Sequence, residues 1–287
     1  GVQIVLQLRL QSTVGSLGPQ QVSILGGIGG CPDSPRRAVA QRCQRGHTGL
    51  HHHQQQEHRH KQQRPHGMPL DEAHDPGRQL FRGDCRFLGS QDTVFDAPLP
   101  LKEAQPGGFK GPGEFKPRTI GRHYYENCFI QGDVDFIFGS GIAWFEHCTI
   151  YSKLPGDRVP PESPEDEVIY GYVTAASTPM DEPYGYVFHE CSLESDCPPH
   201  SIYLGRPWRE WAKTVFLHCE LGAHIHPAGW QDWKKTHGHF YYGEYASYGP
   251  GASPATRADF SHQLTDAEAA KYTVKHVMKG WEPQSLM

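Results

Sequence analysis

A short pattern built on cysteine returns five times along this chain and restricts the possible folds more than any other feature. The copies centre on Cys85, Cys128, Cys148, Cys191 and Cys219, and each has Phe, Ile or Leu two positions after the cysteine. Four of them carry an aromatic residue three positions before it: Tyr125, Phe145, Phe188 and Phe216. A unit of roughly 20 to 45 residues, repeated around a short alternating strand, is the mark of a solenoid. Side chains alternate at period two in a strand, so aromatic, cysteine and apolar residue share a face only if the chain bends between them, as at the corner of a coil. The predicted fold is all-β, a parallel β-helix.

Two copies continue into matching aspartates. CRFLGSQDTVFD, residues 85–96, and CFIQGDVDFIFG, residues 128–139, each reach an aspartate seven positions after the cysteine, at Asp92 and Asp135. Equivalent positions of adjacent coils stack about 4.8 Å apart, which makes these carboxylates neighbours although 43 residues separate them. Each then raises the cost of charging the other, and one ionised nucleophile with one protonated acid is the natural assignment.

The net charge of -5 and the lack of a basic stripe argue against a nucleic-acid partner. No apolar run approaches the roughly 20 residues needed to cross a bilayer. Five of the eight cysteines belong to the repeat and read as a buried ladder rather than a disulfide framework. Only Cys191 and Cys197 are close enough in sequence to suggest a local bridge.

Residues 1–79 differ in kind. They hold none of the chain's Phe, Tyr or Trp, carry the tract HHHQQQEHRHKQQR and have nine Lys or Arg against five Asp or Glu. GVQIVLQLRL and QQVSILGGIGG read as strands that add ragged first coils. The rest reads as a poorly ordered segment ahead of a domain at 80–287, and the His/Gln tract as solvated rather than metal-binding. No secretion signal is visible at the start, and the compartment is not legible. The coil holding Asp92 is expected to have a neighbour on one side only, with an open strand edge.

Within 80–287, the Pro- and Gly-rich stretches 96–121 and 152–167 read as long loops, the first beside the carboxylate pair. Thr265, Asp266, Ala267 and Glu268 have capping-box spacing and predict a C-terminal helix running to Gly280 and covering an end of the solenoid.

On this frame lie QDT at 91–93, DFIFG at 135–139, GYVTAAST at 171–178, LGRPW at 204–208 and AGWQDW at 228–233. Their order resembles the pectin methylesterase family of carbohydrate esterases, over about residues 80–281. The resemblance implies a right-handed parallel β-helix that hydrolyses methyl esters of galacturonate units in pectin, without metal or other cofactor. It also suggests a secreted protein. It further implies that Asp135 is the nucleophile, Asp92 the acid/base and Gln91 an oxyanion donor. Arg206 would pair with the nucleophile and Trp208 would contact the sugar. Phe138 and Trp230 join Trp208 as candidates for substrate binding.

One departure stands out. The family carries a second oxyanion glutamine about one coil before QDT, and 22 residues before Gln91 this chain has Pro69. The first repeat also puts Arg82 where the others have an aromatic, with Phe81 one position earlier. A catalytically impaired polysaccharide-binding solenoid is therefore the alternative. A calcium-dependent lyase fits less well, because a carboxylate pair balanced by an arginine is not a calcium cage.

Overall fold

The computed structural model describes residues 39–42, 79–104, 106–109, 114–115, 117–156, 168–235 and 238–283, the first of these as backbone only. The His/Gln tract, Cys31, Cys43 and the two strands predicted before residue 30 lie outside the described residues, as does Pro69.

The first four coils each pass through three sheets in turn. Sheet A holds β2 (Gln79–Gly83), β5 (Arg122–Glu126), β8 (Ile142–Glu146), β11 (Tyr186–His189), β14 (Lys213–Leu217), β16 (Tyr241–Tyr245) and β17 (His262–Gln263). Sheet B holds β1 (Val39–Arg42), β3 (Cys85–Leu88), β6 (Phe129–Gly132), β9 (Thr149–Ser152), β12 (Ser192–Ser195) and β15 (Glu220–Leu221). Sheet C holds β4 (Val94–Asp96), β7 (Val134–Gly139), β10 (Gly171–Ala176) and β13 (Ile202–Gly205). Every strand pairing is parallel except that of β1 with β3. This is a right-handed parallel β-helix.

The corner between sheets A and B explains the cysteine repeat. Asp84, Asn127, His147, Glu190 and His218, each immediately before a repeat cysteine, have φ between 50° and 54°. One left-handed residue turns the chain and resets the alternation of side chains. Tyr125, Cys128 and Ile130 consequently all point inward, as do Phe145, Cys148 and Ile150. Stacked inside, the aromatics form a ladder, with ring centroids 4.7 Å apart for Tyr125 and Phe145 and 4.4 Å for Phe145 and Phe188 and for Phe188 and Phe216. Each buried thiol donates to the carbonyl two residues back, at 3.3 Å from Cys128 to Glu126 and from Cys148 to Glu146. Cysteine thus fills a small apolar site and supplies a weak donor where the corner leaves a carbonyl facing inward. All six described cysteines are free, Cys191 and Cys197 included.

Two details of the first coil differ from the sequence reading. The first coil is in register: Phe81 lies opposite Tyr124 and Arg82 opposite Tyr125. Phe81 stacks on Tyr124 at 5.7 Å on the other face of sheet A, so its aromatic belongs to the outer column. The edge of β3 is not open, because β1 pairs with it antiparallel from Val39 opposite Leu88 to Arg42 opposite Cys85. Among the described residues β2 and β4 are the last strands of their sheets.

The helical tail is split into α1 (Asp266–Ala269) and α2 (Val274–Val277). Thr265 and Glu268 form the predicted capping box, but Thr273 caps a second helix by accepting from the His276 N–H, and the chain breaks between them. Val277 and Met278 then bury against Ile142, Trp144, Val187 and Val215 on the outer face of sheet A. The tail covers a face of the solenoid, and β17 ends the stack.

Candidate active site

Sheet C carries the carboxylates. Val94 of β4 pairs with Ile137 of β7, Phe95 with Phe138 and Asp96 with Gly139, an offset that also separates Asp92 from Asp135. Both aspartates have positive φ, 57° and 51°, a conformation that Asp tolerates better than most residues. Main-chain bonds tie the two turns together, from Asp92 N–H to the Val134 carbonyl and from Asp133 N–H to the Ser90 carbonyl, each at 3.2 Å. The Thr93 hydroxyl lies within hydrogen-bond distance of the Ser90 carbonyl, at 2.9 Å, and the Gln131 carbonyl, at 3.0 Å, which accounts for the threonine in QDT.

Beyond Asp135, β7 ends at Gly139, where φ is 128° and a Cβ would sit 2.0 Å from the Asp96 carbonyl oxygen. Only glycine fits there.

Arg206 reaches Asp135 from the end of β13. Its Nε donates to Oδ1 at 2.8 Å and its Nη2 to Oδ2 at 2.7 Å. The guanidinium also stacks on Tyr172 and Trp233, 3.8 Å from each ring centroid. Main-chain bonds from Arg206 to Thr174 and from Trp208 to Ala176, both 3.0 Å, fix this segment on β10. Fixed at its backbone, its head and its faces, the arginine holds one geometry.

The two carboxyls differ in environment. Burial, reinforced by the charge of Asp135, pushes the Asp92 carboxyl up to about 8, with Arg206 opposing. Asp135, 6% exposed, is also raised by burial, but Arg206 and then Lys235 oppose the rise, and Arg206 hydrogen-bonds both of its oxygens. A proton shared between them therefore rests on Asp92, which has no direct cation bonded to it among the described contacts. An ionised carboxylate beside a protonated one can attack an acyl carbon and protonate the leaving oxygen.

The remaining predicted residues divide. Gln91 is exposed on the turn beside Asp92. Trp208 is half-buried and meets Phe138 edge-on at 5.8 Å and Phe109 at 6.5 Å. Phe138 is only 8% exposed and packs on Phe95 at 5.1 Å, so it props Trp208 more than it presents a surface. Trp230 is a correction. It is 2% exposed, stacks on Tyr242 at 4.3 Å and donates from Nε1 to Glu244 at 3.1 Å, so it belongs to the core. In AGWQDW, Trp233 is the tryptophan at the site.

Tyr172, Lys235 and Phe109 were not singled out from the sequence. Lys235 lies 4.5 Å from the Trp233 ring, and burial with the nearby charges of Arg209 and Arg206 pushes its amine down to about 8. Phe109 comes from the long loop after β4, which Arg209 also holds through a bond from Nη2 to the Lys102 carbonyl at 3.2 Å. Tyr172 carried a legible signal, since it alternates outward in a strand whose next outward residue, Thr174, lies under LGRPW.

Comparison with known proteins falls on the same frame. The family model described as Pectinesterase matches residues 118–281. The chain belongs to the pectinesterase family. Among curated pectinesterase relatives, putative pectinesterase 11 of Arabidopsis thaliana is 34% identical over 223 residues, covering 73% of this chain and 59% of that protein. Putative pectinesterase 14 of the same plant is 31% identical over 192 residues, covering 66% of this chain and 47% of that protein. The chain thus spans less than two thirds of the length of either. Among solved pectinesterases, the pectin methylesterase PemA from Erwinia chrysanthemi matches with a TM-score of 0.53 at 28% identity, covering 72% of this chain and 58% of that one. A pectin methylesterase mutant in complex with a hexasaccharide matches with a TM-score of 0.52 at 29% identity, covering 71% and 58%. The family-model match begins downstream of Gln91 and Asp92, and the register of β4 on β7 is what ties those two residues to the pectinesterase core.

Proposed function

We propose that this chain hydrolyses the methyl esters of galacturonate units in pectin, with Asp135 as nucleophile and Asp92 as acid and then base. The observation that carries this reading is the two-point grip of Arg206 on Asp135 beside a carboxyl raised to about 8. Membership of the pectinesterase family supports the substrate class.

In the first step an Asp135 oxygen bonds to the ester carbonyl carbon. The bond from that carbon to the methoxy oxygen breaks, and methoxide takes the Asp92 proton and leaves as methanol. Asp92, now a carboxylate, takes a proton from water as the water oxygen attacks the mixed anhydride, and Asp135 departs as carboxylate. Gln91, on the exposed turn beside Asp92, would donate to the oxyanion. Trp208, backed by Phe138 and Phe109, offers a flat apolar face to a sugar ring.

The test is methanol release from highly methylated pectin by the full chain, run beside a simple fatty-acyl ester. Release from pectin with little cleavage of the acyl ester is expected. Binding of pectin without turnover, or equal cleavage of both, would contradict the reading.

A further inference from the structure

Outside the site, a second group of ionisable side chains gathers on the corner between sheets A and B. β8 ends in Glu146 followed by the left-handed His147, and β11, stacked on it, ends in His189 followed by the left-handed Glu190. Carboxylates and imidazoles therefore meet where two coils stack. His189 Nδ1 is 3.0 Å from Glu146 Oε1, His147 Nε2 is 3.3 Å from the same oxygen, His147 Nδ1 is 3.4 Å from Glu190 Oε2, and His189 Nε2 is 4.0 Å from Glu190 Oε1.

We propose that Glu146, His189 and Glu190 bind a divalent transition-metal ion of the zinc type. Glu146, His189 and Glu190 each offer one ligand atom, and these atoms all lie within 4.8 Å of one another. Ligands at about 2.0 to 2.2 Å from a tetrahedral zinc stand roughly 3.3 Å apart, so the three side chains have to draw together only modestly around an ion. Mixed imidazole and carboxylate donors select zinc over calcium or magnesium, which prefer oxygen alone.

The set is partly preorganised. Trp144 Nε1 donates to Glu146 Oε2 at 2.5 Å, a bond that orients a ligand carboxylate from behind. The side chains of Glu146 and His189 are 15% and 26% exposed, whereas that of Glu190 is about half exposed and free to close on an ion from solvent. As ion pairs alone these contacts would stabilise little. With a metal they would clip two coils together, away from the aspartates of sheet C.

The experiment is calorimetric titration of the full chain with zinc chloride, repeated on His189→Gln and Glu190→Gln. Any zinc taken up by the His/Gln tract near residue 51 would be common to all three proteins, so the difference between them isolates the corner. The parent should bind one zinc equivalent that each variant loses or holds about tenfold or more weakly, and zinc should raise the melting temperature of the parent more than that of either variant. Unchanged methanol release by the variants would verify their fold, and the half-exposed Glu190 carries the test alone if His189→Gln fails to fold. Identical stoichiometry and affinity in parent and Glu190→Gln would overturn the proposal.

Discussion

Asp92 and Asp135 occupy the same left-handed turn in successive coils, with φ of 57° and 51°, and only Asp135 is bonded to Arg206. In the proposed mechanism that asymmetry between two otherwise equivalent carboxyls sets the direction of proton flow, and it makes the pH behaviour predictable. With Asp92 as the proposed donor in the first step, methanol release should fall as pH rises through about 8 and this carboxyl ionises. Initial rates against pH would check it, and a rate rising steadily through that range would count against Asp92 as the acid.

The same raised carboxyl has a stability consequence of definite sign. A group whose folded pKa exceeds its unfolded value stabilises most below the unfolded value, and that contribution disappears as pH climbs to the folded one. For Asp92 the window runs from its ordinary value of 3.8 to about 8. Asp92→Asn should therefore lose stability less steeply than the parent across this window, as measured by thermal denaturation at several pH values.

Arg206→Lys should retain charge and still lose about 10²-fold or more in turnover. An ammonium cannot bond both oxygens of Asp135 at once or stack its plane on Tyr172 and Trp233. Kinetics on methylated pectin would show it in kcat more than in KM.

The two tryptophans should separate cleanly. Trp230→Ala removes a side chain that is 2% exposed and should destabilise by about 3 to 5 kcal/mol. Trp208→Ala opens no comparable core cavity, so its melting temperature should stay near the parent's while KM for pectin rises. Denaturation and kinetics on the pair would check both halves.

How much of this was legible depended on whether a residue's role is local or contributed by distant coils. The repeat cysteines revealed the coil because a corner must bend at a fixed place, and the equal spacing of Asp92 and Asp135 from Cys85 and Cys128 revealed the register. Arg206 came from a motif and not from physics, since nothing in the order of residues says that the end of β13 meets the start of β7. The choice between Trp230 and Trp233 was not legible either. Their three-residue separation in an irregular segment has no period, and Tyr242 and Glu244 of the next coil decide which one is buried. The tail failed for a local reason, as a second cap at Thr273 interrupts a run of helix formers.

The central claim is that Asp135 attacks the ester, and methanol release by Asp135→Asn in the full chain tests it most directly. Asparagine keeps the size of the side chain and can still accept from Arg206, so the fold and the cleft should survive while the nucleophile is lost. The account predicts pectin binding close to the parent's with turnover reduced to background. Turnover within a few-fold of the parent's would contradict it.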